Sequence, residues 1–410
     1  MRFQELADIA LSSAKGKRDL LIIIPYYAEY DILARHLDLL DRQSWKEFDA
    51  IIVAEGDSDA AKVAGLAKSG RFGFGIVVVK RKENSGSAGG YFTGQKYALE
   101  NGYGCVIMAD TDCMPEDPGL VKALYENRDR GFVSPTVYGN KDGIRTKFEI
   151  PSVNHYSLVS RGIMEEYGLY YAPLYYYAEG GEYAERIRQP RATVENYATH
   201  PFKIGEEFVK MDKTWYTLLN TIHMMKFETI LPYLAFLNAM AMALAFFVFG
   251  SRKAREYAVR SFSLLMSFKY GKEAIGAIRG IGPLETVPKE SLPEGVMHAD
   301  MRSGNYALSS RRGKIASMAH SALSWAGRDV AVDETYSFSG IVLRGIFSRR
   351  TFVRNGDAYI PLFDNSNPIM HAIRLALFAV AFFPFVGLMS LAYIPIKLVR
   401  MPKTLGYGLD

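Results

Sequence analysis

The stretch that most constrains this chain is VIMADTDCMPED, Val106–Asp117. Its apolar run Val106-Ile107-Met108-Ala109 reads as a short buried strand that ends in Asp110-Thr111-Asp112. Side chains alternate along extended backbone, so carboxylates at i and i+2 point the same way. Two like charges held together at a strand end repel unless a positive group sits between them. A hard divalent cation with oxygen ligands, Mg²⁺ or Mn²⁺, relieves that repulsion and can also hold nucleotide phosphates. The plainer alternative is an acidic turn that caps the next helix, with Asp117 as N-cap and Pro115 and Pro118 beside it. Short acidic motifs recur by chance, so the choice rests on the rest of the chain.

Leu20–Ile24 is an apolar run of the kind buried on both faces of a parallel sheet, closed by Pro25, and Ile32–Leu40 follows with helical periodicity. The layout repeats. Strand Ala50–Val53 leads into the acidic turn Glu55-Gly56-Asp57-Ser58-Asp59 and an Ala-rich helix. Strand Phe74–Lys80 leads into ENSGSAGG and a helix from about Gly90 to Glu100. This alternation predicts an α/β domain with a parallel sheet. Ligands of such sheets bind beyond the carboxyl ends of the strands, so Tyr26, Glu55, Asp57, Asn84 and Asp110 are expected to line one crevice. Gly86, Gly89 and Gly90 offer backbone N–H groups to phosphate at a helix N-terminus. The pattern is neither GxGxxG nor a Walker loop, and it sits in the third unit, which argues against a dinucleotide dehydrogenase or a P-loop NTPase.

With 410 residues there is room for one large domain and an appendage, or for two to three domains. The net charge of +5 is too small to argue for nucleic acid. Cys105 and Cys113 flank the acidic motif and make no disulfide framework, and no base lies near Cys113 in sequence. The N-terminal residues lack an apolar run with a small-residue cleavage site. No signal peptide is therefore expected, and the N-terminal half is expected in the cytosol.

Taken together, IIIPYYAEYD, AEGDSD, Asn84-x-Gly86-x-Ala88-Gly89-Gly90 and Asp110-x-Asp112 resemble family-2 inverting glycosyltransferases of the GT-A fold. The NxGxAGG turn is most similar to the galactofuranosyltransferase and rhamnosyltransferase branch. The resemblance covers residues 18 to 225. It implies a Rossmann-like, mostly parallel GT-A catalytic domain over 1–225 and a UDP- or dTDP-linked nucleotide-diphospho-sugar donor. It implies donor contacts from Pro25, Tyr26, Glu55, Asp57, Asn84, Gly89 and Asp110, and a metal held by Asp112, Asp110 and His200. His200 follows strand Val194–Tyr197 as the family's metal-site histidine does, although a lone histidine is more often structural. In APLYYYAEGGEYAERI, Glu182-Tyr183-x-x-Arg186 is similar to the end of the branch's W-D-D-x-E-Y-x-x-R pattern. Glu179 falls on the first acidic position, and Gly180 replaces the second, where the family carries its base. The base is then Glu179 or Glu182, with Glu179 preferred. Glu182 and Arg186 also read as an i,i+4 pair on a helix. TWYTLLN, 214–220, resembles a YYxxRN stretch with Leu219 in place of Arg.

Residues 226–410 are expected to form an α-helical, membrane-associated region. Thr229–Gly250 and Leu375–Ile396 are each 22 residues without charge, with Arg252, Lys253 and Arg255 beyond the first and Lys397, Arg400 and Lys403 beyond the second. Each is long enough for a transmembrane helix, a buried core helix being the alternative. Between them, 251–370 carries 17 Lys and Arg against 11 Asp and Glu, which favours a cytosolic place for it. The apolar helices would then lie in the interface, re-enter, or pack together. Arg311, Arg312, Lys314, Arg349, Arg350 and Arg354 are candidates for anionic headgroups or a lipid-diphosphate acceptor, a solvated basic face being the alternative.

The expectation is a metal-dependent inverting glycosyltransferase at the cytoplasmic face of the cell membrane. It would transfer galactofuranose or rhamnose to a polyprenyl-diphosphate-linked glycan in cell-surface polysaccharide synthesis. Membrane lipids are partners, nucleic acid is not, and homo-oligomerisation is left open. One rival is a sugar nucleotidyltransferase, against which PYYAEYD lacks a glycine-rich loop after the first strand. The other is a catalytically degenerate membrane scaffold, for which Gly180 and Leu219 speak.

Overall fold

The computed structural model describes residues 7–12, 18–141, 144–147, 152–176, 179–187, 189–201, 220, 243–266, 271–281, 285–301, 324–335, 344–355 and 358–398. The chain divides into two compact units, one built on residues up to Phe202 and one on Lys203–Arg400.

The first unit holds strands β1 (Ala7–Ser12), β2 (Leu20–Tyr26), β3 (Phe48–Ala54), β4 (Gly75–Arg81), β5 (Cys105–Ala109), β6 (Phe132–Lys141), β7 (Ile144–Lys147), β8 (His155–Ser160) and β9 (Ala192–Pro201). Helices α1 (Tyr30–Asp41), α2 (Ala60–Lys68), α3 (Gly86–Glu100), α4 (Leu120–Glu126), α5 (Arg161–Tyr167) and α6 (Glu179–Ile187) lie between them. One sheet runs in the order β1-β4-β3-β2-β5-β8-β6-β7, with β9 beside β6. Strands β4, β3, β2 and β5 are mutually parallel, β8 is antiparallel to β5 and β6, and β9 is parallel to β6. The four parallel carboxyl ends therefore open on one edge, as the strand–helix alternation implies.

Strand alternation sorts the core into two layers. Leu20, Ile22 and Ile24 of β2 pack with Leu33, Leu37 and Leu40 of α1, while Leu21 and Ile23 pack on the other face with Tyr91 and Ala98 of α3. The close approach of α3 explains Gly94, where a Cβ would stand 2.3 Å from Ile23. The elements run longer than expected. β2 passes through Pro25, which pairs in register with Val53. β6 passes Pro135 by shifting its register with β9 between Ser134 and Thr136, the bulge by which a sheet accommodates a residue without an N–H.

The second unit departs from the helical expectation. It contains α7 (Arg252–Met266), α8 (Gly271–Arg279) and α9 (Pro368–Leu398), but also β10 (Val287–Pro288), β11 (Met297–Met301), β12 (Asp329–Thr335), β13 (Arg350–Asn355) and β14 (Ala358–Asp364). These strands form a five-stranded sheet in the order β10-β14-β13-β12-β11. The strands are short, and the long apolar runs dominate any hydropathy reading of this half. Asn355-Gly356, between β13 and β14, is nonetheless a hairpin signal. Arg349 and Arg350 are not spare cations. Both clasp the buried Asp329, Arg349 Nε at 2.8 Å and Arg350 Nη2 at 2.7 Å.

Among the described residues no helix is long and apolar enough to cross a membrane. The side chains of α9 are described no further than residue 384. On that part Ile369, Met370, Ile373, Leu377 and Val380 are exposed, while Phe378 packs on Phe249. Residues 229–242 of the first apolar stretch, 214–219 of TWYTLLN, and Arg311, Arg312 and Lys314 lie outside the described residues.

Candidate active site

The Asp110-Thr111-Asp112 turn is held by its middle residue. Thr111 Oγ1 donates to the Pro25 carbonyl at 2.5 Å, and the Thr111 carbonyl accepts from His36 Nδ1 at 2.9 Å. His36 is fully buried on α1, and its Nε2 meets the Tyr156 hydroxyl. Burial lowers the His36 pKa to about 4, so the ring is neutral, with Nδ1 protonated and Nε2 accepting. Sequence reasoning missed His36, which looks like any polar residue inside an amphipathic helix.

His200 is brought to this turn by a two-residue clasp. Met114 N donates to the Thr199 carbonyl at 2.7 Å, and Thr199 N returns a bond to the Met114 carbonyl at 2.8 Å. His200 thus lies inside β9 rather than beyond a shorter strand, and its Nε2 stands 3.4 Å from Asp112 Oδ1. A further ring was not anticipated. His155 opens β8 opposite Ala109, and its ring lies tilted at 35° against His200 with centroids 4.6 Å apart. Ligand atoms of Asp110, His155 and His200 all lie within 4.8 Å of one another. Carboxylate and imidazole donors gathered in this way fit a divalent cation, with Asp112 beside them.

The charges here are strongly coupled. Burial, helped by the neighbouring Asp112 carboxylate, pushes Asp110 up to about 7 despite the 2.7 Å bond it accepts from the Tyr91 hydroxyl. Burial also works to raise Asp112, but the adjacent His200 ring outweighs it and leaves that carboxyl below its usual range. Burial lowers His155 to about 3, which makes it a neutral imidazole. Cys113 is fully buried, and burial together with Asp110 and Asp112 pushes its thiol well up, which removes it as a nucleophile. Asp117 serves the turn into α4, accepting from Gly119 N at 2.8 Å and from Asn196 Nδ2 at 3.0 Å. The N-cap of α4 is Gly119 rather than Asp117, which instead fixes the turn before the helix, and Asp110 and Asp112 are left to the candidate site.

The two glutamates of α6 have different surroundings. Glu182 is buried and accepts both Nε and Nη2 of Arg186, at 2.7 and 2.9 Å. The pair expected on a solvated helix face is thus a buried structural clamp, and Arg186 also ties down the Leu169 carbonyl at 2.7 Å. Glu179 is buried too, but its Oε1 accepts from Ser87 Oγ at 2.7 Å and Asn154 Nδ2 at 3.2 Å. Burial raises its pKa, and its charge acts on Asp110. Asn154 joins the two carboxylates, because its own carbonyl accepts the Asp110 N–H at 2.9 Å. A Cβ on Gly180 would stand 2.9 Å from Asn154 Oδ1 and from Ser152 Oγ, so those side chains occupy the ground of the missing aspartate.

The residues expected to bind donor are only partly available. Asp57 is exposed in the turn after β3, and Tyr26 is packed in the core. Glu55 is buried and spends Oε2 on Ser85, accepting from its N at 2.7 Å and its Oγ at 2.8 Å. Asn84 Oδ1 accepts the Gly86 N–H at 2.9 Å. The glycine turn is not an open phosphate cradle. Ala88 N donates to the Tyr175 carbonyl at 3.0 Å and Gly89 N to the Ser85 carbonyl at 3.3 Å. Gly86 has φ +68°, and a Cβ there would stand 2.1 Å from the Tyr175 carbonyl. Gly89 and Gly90 are glycines because Ser85 and Pro25 press on them. Close packing accounts for the glycines of this motif. Pro25 serves the site through its carbonyl, which receives Thr111.

Residues 21–174 match the model of Glycosyl transferase family 2. By that match the stretch is similar to a family-2 glycosyltransferase domain. The chain is also similar to the amylovoran biosynthesis glycosyltransferase AmsB of Erwinia amylovora. The two are 32% identical over 117 residues, which cover 27% of this chain and 38% of the relative's length. Among solved structures, the mannosyltransferase PcManGT of Pyrobaculum calidifontis, in complex with GDP-Man and Mn²⁺, aligns with TM-score 0.40 and 13% identity over 67% of this chain and 89% of that one. S. aureus TarS 1–349 aligns with TM-score 0.42 and 13% identity over 63% of this chain and 83% of that one.

Proposed function

We propose that the chain is an inverting, metal-dependent glycosyltransferase that moves galactofuranose or rhamnose from a UDP- or dTDP-linked donor to a lipid-linked glycan. The observation that carries this reading is the convergence of Asp110, Asp112 and His200 at the carboxyl edge of the parallel strands, with Glu179 buried within electrostatic reach of Asp110. The match of residues 21–174, which include Asp110 and Asp112, to the family-2 model supports it.

Asp112, Asp110 and His200 would hold Mg²⁺ or Mn²⁺, which when bound neutralises charge on the departing diphosphate. Glu179 acts as the base. The bonds from Ser87 and Asn154 both fall on Oε1, and the carboxylate takes the proton of the acceptor hydroxyl through Oε2. As that oxygen bonds to the anomeric carbon, the bond to the diphosphate breaks, and its electron pair leaves with the nucleoside diphosphate. One in-line displacement inverts the anomeric centre. A raised pKa makes the Glu179 carboxylate a stronger proton acceptor than an exposed one. Asp57, exposed at the crevice rim, and Asp110 are assigned to the base and ribose of the donor. Glu182 is assigned to structure.

The lipid-linked acceptor and a place at the cytoplasmic face of the cell membrane rest on the second unit. Ile369, Met370, Ile373, Leu377 and Val380 fall on one side of α9 at helical spacing and are exposed, and Lys397, Arg400 and Lys403 follow its uncharged stretch. Such a helix suits the interface of an anionic bilayer. The rival reading, a degenerate scaffold, draws on Gly180.

Full-length protein in detergent, given Mn²⁺ and a panel of nucleotide sugars, tests both. Release of nucleoside diphosphate from one donor, by slow hydrolysis or by transfer to a lipid-linked disaccharide, supports the enzyme and names the sugar. Absence of both release and binding across the panel favours the scaffold.

A further inference from the structure

We infer that His155 is a second imidazole ligand of the metal, and that the site therefore selects a divalent transition-metal ion of the Mn²⁺ class over Mg²⁺. The inference rests on the metal-dependent reading above and narrows it. His155 reaches the site by a different route from the other ligands. Asp110 and Asp112 come from the turn after β5, and His200 comes from β9 through the Met114–Thr199 clasp. His155 comes from the first residue of β8, paired across the ladder with Ala109 and fixed there by the bond from Asp110 N to the Asn154 carbonyl. Three separate elements thus deliver four donors to one spot.

The spacing fits a six-coordinate ion with modest closure. Ligands at about 2.1 Å from an octahedral ion stand about 3 Å apart when adjacent and about 4 Å apart when opposite. The Asp110, His155 and His200 atoms already lie within 4.8 Å of one another, and Asp112 Oδ1 is 3.4 Å from His200 Nε2. The donor set then decides the metal. Mg²⁺ holds water and oxygen ligands tightly and gains little from imidazole, whereas each imidazole favours first-row transition ions. One histidine leaves the choice open, and two tilt it.

The test uses the full-length protein with UDP and Mn²⁺, read by electron paramagnetic resonance with electron spin-echo envelope modulation to count coordinated nitrogens. The wild type is expected to show two imidazole couplings and a Mn²⁺ affinity that falls at least tenfold, roughly, in His155→Ala while Mg²⁺ affinity changes about twofold or less. His155→Ala should retain one coupling, and His200→Ala should retain the other. One coupling in the wild type, or two in His155→Ala, overturns the inference while leaving a metal site in place. No bound Mn²⁺ in the wild type overturns the metal-dependent reading and this inference with it. The wild-type count decides the matter even if a variant fails to fold.

Discussion

Met114 and Thr199 exchange two backbone hydrogen bonds, at 2.7 and 2.8 Å, and this pair is what sets His200 beside Asp112. The residues are 85 apart in sequence, so the proposed metal site is assembled by strand pairing rather than by a local motif. Asp112→Ala should therefore abolish metal-dependent turnover and sharply weaken Mn²⁺ binding without altering the far-ultraviolet circular dichroism. Unchanged turnover would remove Asp112 from the site.

The two glutamates of α6 should fail in different ways. Glu179→Gln keeps hydrogen-bonding capacity but cannot accept a proton, so donor binding by calorimetry should persist while transfer falls by about 10²-fold or more. Glu182→Gln breaks a buried clamp and strands the Arg186 charge, at a cost of about 3–5 kcal/mol, read as a lowered Tm. If Glu182→Gln folds normally and loses transfer while Glu179→Gln retains it, the base is Glu182.

Asp110 gives the metal-free protein an inverted pH dependence. Its carboxyl is raised to about 7 by burial and by Asp112, against about 4 in the unfolded chain. The folded state then holds a proton that the unfolded state has released. This group's contribution is complete below about pH 4 and is lost as pH rises through about 7. Asp110→Asn should lose that slope, so its metal-free Tm should gain on the wild type between about pH 5 and about pH 8. Mn²⁺ binding to the wild type should strengthen over the same interval, because the ligand must give up its proton. Parallel melting curves for the two proteins would refute the assignment.

His36 should matter although it lies outside the Asp110, His155 and His200 cluster. His36→Leu leaves the Thr111 carbonyl and the Tyr156 hydroxyl without their buried partner. A loss of about 2–4 kcal/mol is expected in denaturant unfolding, with weaker Mn²⁺ binding as the acidic turn loosens. A stable variant with native Mn²⁺ affinity would show that the turn is held by Thr111 alone.

Two glycines separate packing from propensity. A Cβ on Gly65 of α2 meets nothing within 4 Å, so Gly65→Ala should stabilise by up to about 1 kcal/mol. A Cβ on Gly94 of α3 meets Ile23 at 2.3 Å, so Gly94→Ala should destabilise by about 1–3 kcal/mol. Urea titrations of both report the sign directly.

By itself the sequence determined the alternating strands and helices of the first unit, the edge on which their carboxyl ends open, and the acidic turn at that edge. Those features follow from local periodicity and from the fixed direction of side chains along a strand. It also placed Asp110, Asp112, His200 and Glu179 as candidates. Tertiary structure decided how the candidates are used. Glu182 became half of a clamp because Arg186 is folded onto it away from water. The glycine turn became a packing surface because Tyr175, Ser85 and Pro25 close on it from distant parts of the chain. His155 and His36 entered the site only through β8 and α1, since a histidine carries no local mark of what it will face. The sheet of the second unit was hidden for a related reason. Strands of five to seven residues are fixed by pairing with one another, and a reading of apolar length weighs only the long runs.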